Sequence, residues 1–347
     1  MPSTELVGNM HIHTPFSDGE WYHDQIAEAA AAAHLDFITT TDHNVWVQGP
    51  EGYHGDLLVL VGEEVHDCRR QPQANHCLVY GADSEMSLCA ESPQRLIDAA
   101  RERNALTFLA HPVDPPLDFM GESDLSWVDW DVEGFTGIEL WNYMSEFKGR
   151  IPNALMAIWY AFHPEHAIRG PFRKALAIWD RLLASGRRVA AIGGADAHGF
   201  TLSLGPLSRT IFPYEYLFRC VNTHLLADRP LTGDVAADRR TIYDALSMGH
   251  CWIGYDLIGS TKGFRFTARS MANSAGIGDE IKRAGAINFG IETPAPASIR
   301  LIRAGKGIVA HGSGRTLKHT TAEAGVYRVE VTRRGKGWIY SNPIYVR

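Results

Sequence analysis

The sequence predicts an α/β fold, a seven-stranded β/α barrel followed by a small β-sandwich, and three observations predict it. Strand-like and helix-like runs alternate over the first two thirds of the chain, most of the strand-like runs end in His, Asp, Glu or Asn, and beyond about residue 258 the texture changes to short alternating runs broken by Gly, Pro and Asn. At 347 residues the chain exceeds the length at which one core stops growing, so a large domain over 1–257 and a smaller one over 258–347 are expected.

Residues 6–10 form an apolar-leaning run that leads into His11-Ile12-His13. As a strand this would put both imidazoles on one face, because side chains repeat every two residues. Residues 23–35 (HDQIAEAAAAAHL) are alanine-rich and free of Pro and Gly, so they read as a helix. Residues 36–44 are a β-branched strand ending in Asp42-His43-Asn44, and residues 57–65 (LLVLVGEEV) are the continuous apolar run that a buried parallel strand needs. Further strands are expected at 75–81, 107–112, 137–142 and 188–198, with helices at 93–104 and 172–185.

Of the seven strand candidates, six end in His, Asp, Glu or Asn, where a β/α barrel collects its active site. His76 is the exception, at the start of its run; either that strand runs differently or its boundary is displaced. Two connections are long: 113–136 holds Phe119, Trp127 and Trp130, and 143–171 holds the apolar stretch 151–162 followed by His163 and His166. Both follow strand ends, which suits walls or lids of a site; packing against another subunit or the second domain is the other reading. Residues 239–249 read as a last helix. The runs at 263–270, 287–293, 298–304, 326–332 and 338–346 argue for an antiparallel sandwich, without clustered metal-ligand residues. Its expected role is to cover a barrel face or join subunits, with carbohydrate or partner binding as the second reading.

A 45% hydrophobic fraction supports sizeable cores, and a net charge of -7 without a long basic run excludes nonspecific attraction to nucleic acid or anionic membrane. Nucleic acid enters only as an oligonucleotide substrate. The pairs Arg69-Arg70 and Arg187-Arg188 read first as solvated surface residues and second as anion contacts. The five cysteines (Cys68, Cys77, Cys89, Cys220 and Cys251) are odd in number and lack C-x-x-C spacing, so reduced thiols in a cytoplasmic protein are expected. There is no basic-then-apolar leader and no apolar run of spanning length. A homo-oligomer is left open.

The chemistry lies in nine residues: His11, His13, Asp18, His43, Glu64, His76, His111, Asp196 and His198. Nine donors exceed what one ion can use, so two or three divalent metals are implied, and mixed imidazole and carboxylate donors suit zinc, manganese or iron better than calcium. Glu64 can bridge two of them. Metals held roughly 3.5–4 Å apart can share a hydroxide and offset charge on a leaving oxygen, which suits hydrolysis of a phosphate ester.

The segments HIHTPFSDG, TTTDHN, VGEEV followed by NHCLVYG, LAHP and GGADAHG resemble, in order and spacing, the PHP (polymerase and histidinol phosphatase) family of metal-dependent phosphoesterases over about residues 8–200. The resemblance implies a distorted seven-stranded barrel. The helix IYDALSMGHCWIG and the ending WIYSNPIYVR further resemble a subgroup with a C-terminal β-domain that includes carbamate-hydrolysing members of the CehA/McbA type. Carried onto this chain, the family pattern implies one metal on His11, His13, Glu64 and Asp196, a second on Glu64, His76 and His111, and a third on Asp18, His43 and His198. Glu64 is preferred to Glu63 because G-x-E is the family spacing and neighbouring strand residues face opposite ways.

A shared hydroxide would attack phosphorus in line, and Asp18 or His198 would pass a proton to the leaving group as the catalytic residues. Asp42 reads as a hydrogen-bond partner, Glu139 and Asn142 as polar residues closing the sixth strand with substrate contact as their second reading, and His34, His54, His66 and His250 as ordinary polar residues. Phosphoester hydrolysis is expected first. Hydrolysis of a carboxyl ester, amide or carbamate is second, the aromatic-rich loops suiting an aromatic substrate. A noncatalytic metal-stabilised binding module is third.

Overall fold

The computed structural model describes residues 4–204 and 207–347. Strand β1 (Thr4–Asn9) leads through the His11–Asp18 segment to α1 (His23–Ala32), β2 (Phe37–Thr40), β3 (Gly52–His54), β4 (Leu57–Val65) and β5 (Cys77–Tyr80). Then come α2 (Pro93–Glu102), β6 (Leu106–Leu109), β7 (Gly137–Asn142), α3 (Tyr143–Gly149), α4 (Ala154–Phe162), α5 (Arg173–Ala184) and β8 (Ala190–Gly194). Local signals explain the helices. In α2, Ser92 caps the Arg95 N–H and Pro93 occupies the first turn, and the helix buries Leu96, Ile97 and Ala100. In α5 the buried residues Ala175, Ile178, Trp179 and Leu183 recur at helical spacing.

The strands hydrogen-bond in the order β8-β7-β6-β5-β4-β2-β1. The pairs β1–β2, β2–β4, β6–β7 and β7–β8 are parallel, whereas β5 runs antiparallel to both β4 and β6. The two ends of this run meet at one parallel bridge between Ile12 and Ala197, in which the His13 N–H donates to the Ala197 carbonyl at 2.8 Å and the Ala197 N–H to the His11 carbonyl at 3.1 Å. The sheet is buried on both faces. Leu57 and Val59 of β4 join Ile26, Ile97 and Ile178 of the helices in one cluster, while Leu58 and Leu60 join Phe37, Tyr80, Phe108 and Ile192 in another. This two-sided burial is why the run 57–65 reads as continuously apolar.

After β8 come the hairpin β9 (Thr201–Leu204) and β10 (Leu207–Thr210), α6 (Tyr214–Phe218), β11 (Val221–Ala227), α7 (Val235–Ser247) and β12 (Cys251–Tyr255). The remaining strands are β13 (Arg265–Arg269), β14 (Ser274–Ala275), β15 (Glu280–Ile281), β16 (Ile287–Arg303), β17 (Gly307–Thr321), β18 (Gly325–Arg333), β19 (Lys336–Ser341) and β20 (Ile344–Val346). β11 pairs antiparallel with β1 and β12, and β12 pairs with β19, so hydrogen bonding is continuous from the N-terminal strands to the C-terminal ones. Phe266, Phe289, Ile299, Val329, Trp338 and Ile344 share an apolar cluster with Trp252. The chain is thus mixed α/β, with seven α-helices and a large sheet among the described residues. None of these helices is long and apolar enough to cross a membrane.

The antiparallel direction of β5 accounts for His76: its start lies at the same end as the carboxyl ends of its neighbours, so His76 meets Glu64 and His111. Strands β11, β12 and β17 were not expected. β11 carries Asn222, Thr223 and His224 inside its run, and β17 is rich in Gly and polar residues, so neither shows the apolar signal of a buried strand. The connection 143–171 holds two helices, and no residue of α4 is buried.

The last strands also tie down β8. Fully buried Asn342 accepts the Ala191 N–H at 2.7 Å and donates to the carbonyls of Ala191 at 2.8 Å and Cys251 at 3.1 Å, standing in for a strand along that edge. Asn342→Ala is expected to cost about 2–4 kcal/mol, since it removes several bonds and leaves a buried N–H unpaired. Urea unfolding should show a lower midpoint at unchanged slope.

Candidate metal centre

Two short segments present four of the candidate donors. Ile12 and Ala197 pair across the parallel bridge and are both fully buried in the apolar core. With a period of two, their neighbours His11, His13, Asp196 and His198 turn to the other side, where the rings of His13 and His198 stack at 4.1 Å. A second bridge pairs His43 with Glu64, extending β2 against the end of β4. His76 comes just before β5, and its carbonyl accepts the Ala110 N–H at 2.9 Å, which sets it beside His111. Asp18 returns from a turn closed by the Ser17 and Gly19 N–H groups on the Thr14 carbonyl.

All nine candidates come together, around Glu64. Glu64 Oε1 lies 3.0 Å from His76 Nδ1 and 3.0 Å from His111 Nε2. Its Oε2 lies 3.2 Å from His11 Nε2, 3.3 Å from His13 Nε2 and 3.1 Å from His43 Nδ1. Asp196 Oδ1 is 3.4 Å from His11 Nε2 and 3.2 Å from His13 Nε2. At the solvent edge Asp18 Oδ1 is 3.3 Å from His198 Nε2, and Oδ2 is 3.6 Å from His43 Nε2. The donors gather into three overlapping sets: His11, His13 and Asp196; Glu64, His76 and His111; and His13, Asp18, His43 and His198. The neighbouring Glu63 faces away and accepts the Met86 N–H at 2.7 Å.

The donor chemistry fits divalent metals. His11 Nε2, His13 Nε2 and His43 Nδ1 are buried and approach Glu64 without making a hydrogen bond, so they meet the carboxylate side by side rather than donating to it. Zinc bonds of roughly 2.0–2.2 Å at tetrahedral angles set neighbouring donors about 3.3–3.5 Å apart, close to the spacing seen.

Buried polar residues hold the donors in place. Glu139 accepts from His11 Nδ1 at 3.0 Å, which leaves Nε2 with its lone pair toward the centre, and its other oxygen accepts the His111 N–H and the Asn142 amide. Asn142 also donates to Asp196 Oδ2 at 3.1 Å. Glu139 and Asn142 are buried behind the donors, which does not favour substrate contact, the second reading of the sequence. Asp42 accepts from Thr14 N, Thr14 Oγ1 and Ser17 Oγ, each at 2.7 Å, and so anchors the turn that carries Asp18. A Cβ on Gly194 would stand 2.5 Å from Glu139 Oε1 and 2.8 Å from His11 Cβ, so this contact requires glycine. His111 and Asp196 adopt φ of 25° and 54°, backbone strain held at two strand ends that carry donors.

His66, read as an ordinary polar residue, lies against two of the candidate donors. Its buried ring stacks on His76 at 4.1 Å and meets His43 edge-on at 4.9 Å. The sequence signal was its place two residues beyond Glu64, at the end of a strand whose other end residues serve the centre.

Charge is balanced inside the cluster. Burial alone would raise the Glu64 pKa, but the charges on His11, His43 and His76 hold it well below the usual carboxylate range. Asp196 is likewise pushed up by burial and held low by His11, His13 and His198. Burial opposes protonation of His111 and His198, yet hydrogen bonds to Glu64 and to Asp18 respectively push each up to about 9. His66 falls to about 3, chiefly because burial disfavours its charged form, with the neighbouring imidazoles adding to the effect.

Two outcomes follow for the metal-free protein. His111 and His198 bind protons more tightly folded than unfolded, so their contribution is complete below pH about 6.5 and is lost as pH rises through 9. His66 works the other way: the unfolded chain takes up its proton below pH about 6.5, so stability falls as pH drops from there toward 3. Glu63, raised by burial to about 7, opposes His66 between pH about 4.5 and 6.5, so urea midpoints of chelator-treated protein should decline as pH rises from about 7 to 9 and as it falls below about 4.5. Gly194→Ala should push Glu139 off His11 and weaken metal retention by about 10–100-fold in chelator competition.

No protein-family model matches the chain, and no curated protein does. Among solved structures it is similar to a two-domain protein from Bacteroides vulgatus that contains a predicted PHP-like metal-dependent phosphoesterase, at 14% identity and a TM-score of 0.45 over 99% of this chain and 96% of that one. It is similar to a candidate metal-dependent phosphoesterase from Bifidobacterium adolescentis at 15% identity and a TM-score of 0.35, covering 57% of this chain and 90% of that one. An amidohydrolase from Chromobacterium violaceum matches at 14% identity and a TM-score of 0.28, covering 59% and 93% of the two chains.

Proposed function

We propose that this protein is a metal-dependent hydrolase of phosphate esters, with a distorted β/α barrel over 1–257 carrying the centre. The observation that carries the reading is the convergence of three donor sets on one buried carboxylate, with the outermost set the most open to solvent. His11, His13, Glu64 and Asp196 would hold one ion, Glu64, His76 and His111 a second, and Asp18, His43 and His198 a third. Bound there, zinc, manganese or iron supplies Lewis acidity, a water of lowered pKa and positive charge to match phosphoryl oxygens.

The residues divide the remaining work. Asp18, with its side chain 54% exposed, and the partly exposed His43 and His198 form the edge at which substrate arrives. His198 Nδ1 donates to the Asp196 carbonyl at 2.9 Å, which fixes one ring proton and leaves Nε2 facing Asp18. When no ion occupies the outer set, the hydrogen bond to Asp18 raises His198 to about 9, so Nε2 carries a proton that could pass to a leaving oxygen; an ion held by His198 would replace that proton. The buried residues Glu64, His76 and His111 exclude water from the inner side. Glu139 and Asn142 keep the donors oriented while charge shifts at the edge.

A second reading, hydrolysis of an aryl carboxyl ester, amide or carbamate, is favoured by the aromatic rim. Phe16 is 54% exposed on the turn that carries Asp18, and Phe200, two residues beyond His198, is 44% exposed. Such rings suit a flat apolar leaving group.

The two readings separate in one assay. Protein loaded with manganese or zinc is offered p-nitrophenyl phosphate, bis-p-nitrophenyl phosphate and 1-naphthyl N-methylcarbamate, with Asp196→Ala as the blank. Phosphate turnover is expected to fall by at least about 100-fold in the blank, as losing a donor should cost no less than losing its supporting partner. Carbamate turnover with silent phosphates would replace the first reading by the second. Undiminished turnover in folded, metal-replete Asp196→Ala would overturn both.

A further inference from the structure

His66 belongs to none of the three donor sets assigned above, and its surroundings are those of a metal ligand. It is 6% exposed, and its Nδ1 is buried without a hydrogen-bond partner, as is Nε2 of His76. The other nitrogen of His66 lies 3.7 Å from Cys68 Sγ. One ring nitrogen from each of His43, His66 and His76 falls within 4.8 Å of the others. The three rings come from three segments, after β2, after β4 and before β5, so the grouping is tertiary and not an accident of neighbouring residues. No carboxylate hydrogen-bonds to His66, so the ring has no ion pair to satisfy it.

We propose that His43, His66 and His76 form a further cation site made of imidazoles alone, which takes one zinc-class divalent ion. Neutral imidazole suits zinc, copper and nickel, whereas manganese and magnesium favour oxygen donors. Tetrahedral zinc wants its donors roughly 3.3 Å apart, so small side-chain rotations close the set. A cavity of about 360 Å³, lined by Asn44, His66, Cys68, Arg69, Ser87 and Glu91, gives an ion access from the surface.

The site shares His43 with the outer donor set and His76 with the inner one. An ion at His66 takes the unpartnered Nε2 of His76, the nitrogen facing away from Glu64, and so adds to the ions held elsewhere; by drawing on the two shared rings, excess zinc acts as an inhibitor where excess manganese does not. The site itself stands on its own donors. Only the inhibition rests on the hydrolase reading, and the binding counts below do not depend on turnover.

Metal-free protein is dialysed to equilibrium against zinc or manganese, and bound metal is counted by atomic emission for wild type, His66→Gln and His66→Phe, with urea midpoints to establish folding. Wild type is expected to hold one more equivalent of zinc than of manganese at saturation, and both variants to lose that equivalent and keep the rest. Cobalt(II) titration should show a last visible-band increment in wild type that is missing from the variants. Equal zinc and manganese counts in wild type would overturn the proposal without recourse to any variant. So would an unchanged zinc isotherm in a folded variant.

Discussion

The structure depends on one buried carboxylate, Glu64, surrounded by five imidazoles. A charged group taken out of water is costly unless its surroundings replace the lost hydration, and here His11, His13, His43, His76 and His111 do so from four different parts of the chain. This forces the ends of β1, β2, β4 and β6 and the start of β5 to one place. It also explains the strain tolerated at His111 and Asp196: a left-handed backbone is held where the surrounding contacts outweigh its cost.

The support around the donors follows the same logic. Glu139 orients His11 and ties the His111 backbone to the Asn142 amide, and Asn142 in turn reaches Asp196, so one chain of bonds spans four strand ends. Gly194 exists to let that chain close. Farther out, Asn342 secures β8 through Ala191, five residues before Asp196. Buried Arg328 pairs with Asp180 on α5 and Glu330 on its own strand, fixing the C-terminal strands to the helix that covers β7. The C-terminal region thereby contributes to the position of a metal donor without supplying one.

The cluster is graded from inside to outside. Glu64, His76 and His111 are closed off, His11 and His13 are buried, and Asp18, His43 and His198 meet solvent. Under the proposed hydrolase reading, exchange with substrate and protons belongs to the outer edge and permanence to the inner one. The apolar helix α4, none of whose residues is buried, is a separate exposed surface that the donor arrangement does not explain.

Much of this was legible in the sequence because it depends on short-range periodicity. The H-x-H and D-x-H pairs put alternate residues on one face whatever the fold, and the G-E-E step allows only one glutamate to point with them. Strand and helix texture marked most of the β/α part for the same reason. The direction of β5 was not legible, since four residues of β5 read alike in either direction, and only pairing with β4 and β6 moved His76 into the centre. Nor were the roles of Glu139, Asn142 and His66, whose meaning lies in what stands 3–5 Å away across other strands. The sequence by itself determined which residue types could bind metal and which way each faced along its own segment, because local backbone geometry settles that. Which donors share an oxygen, which are sealed from water and which side chains hold them upright were decided by tertiary packing, because those depend on distances between segments far apart in the chain.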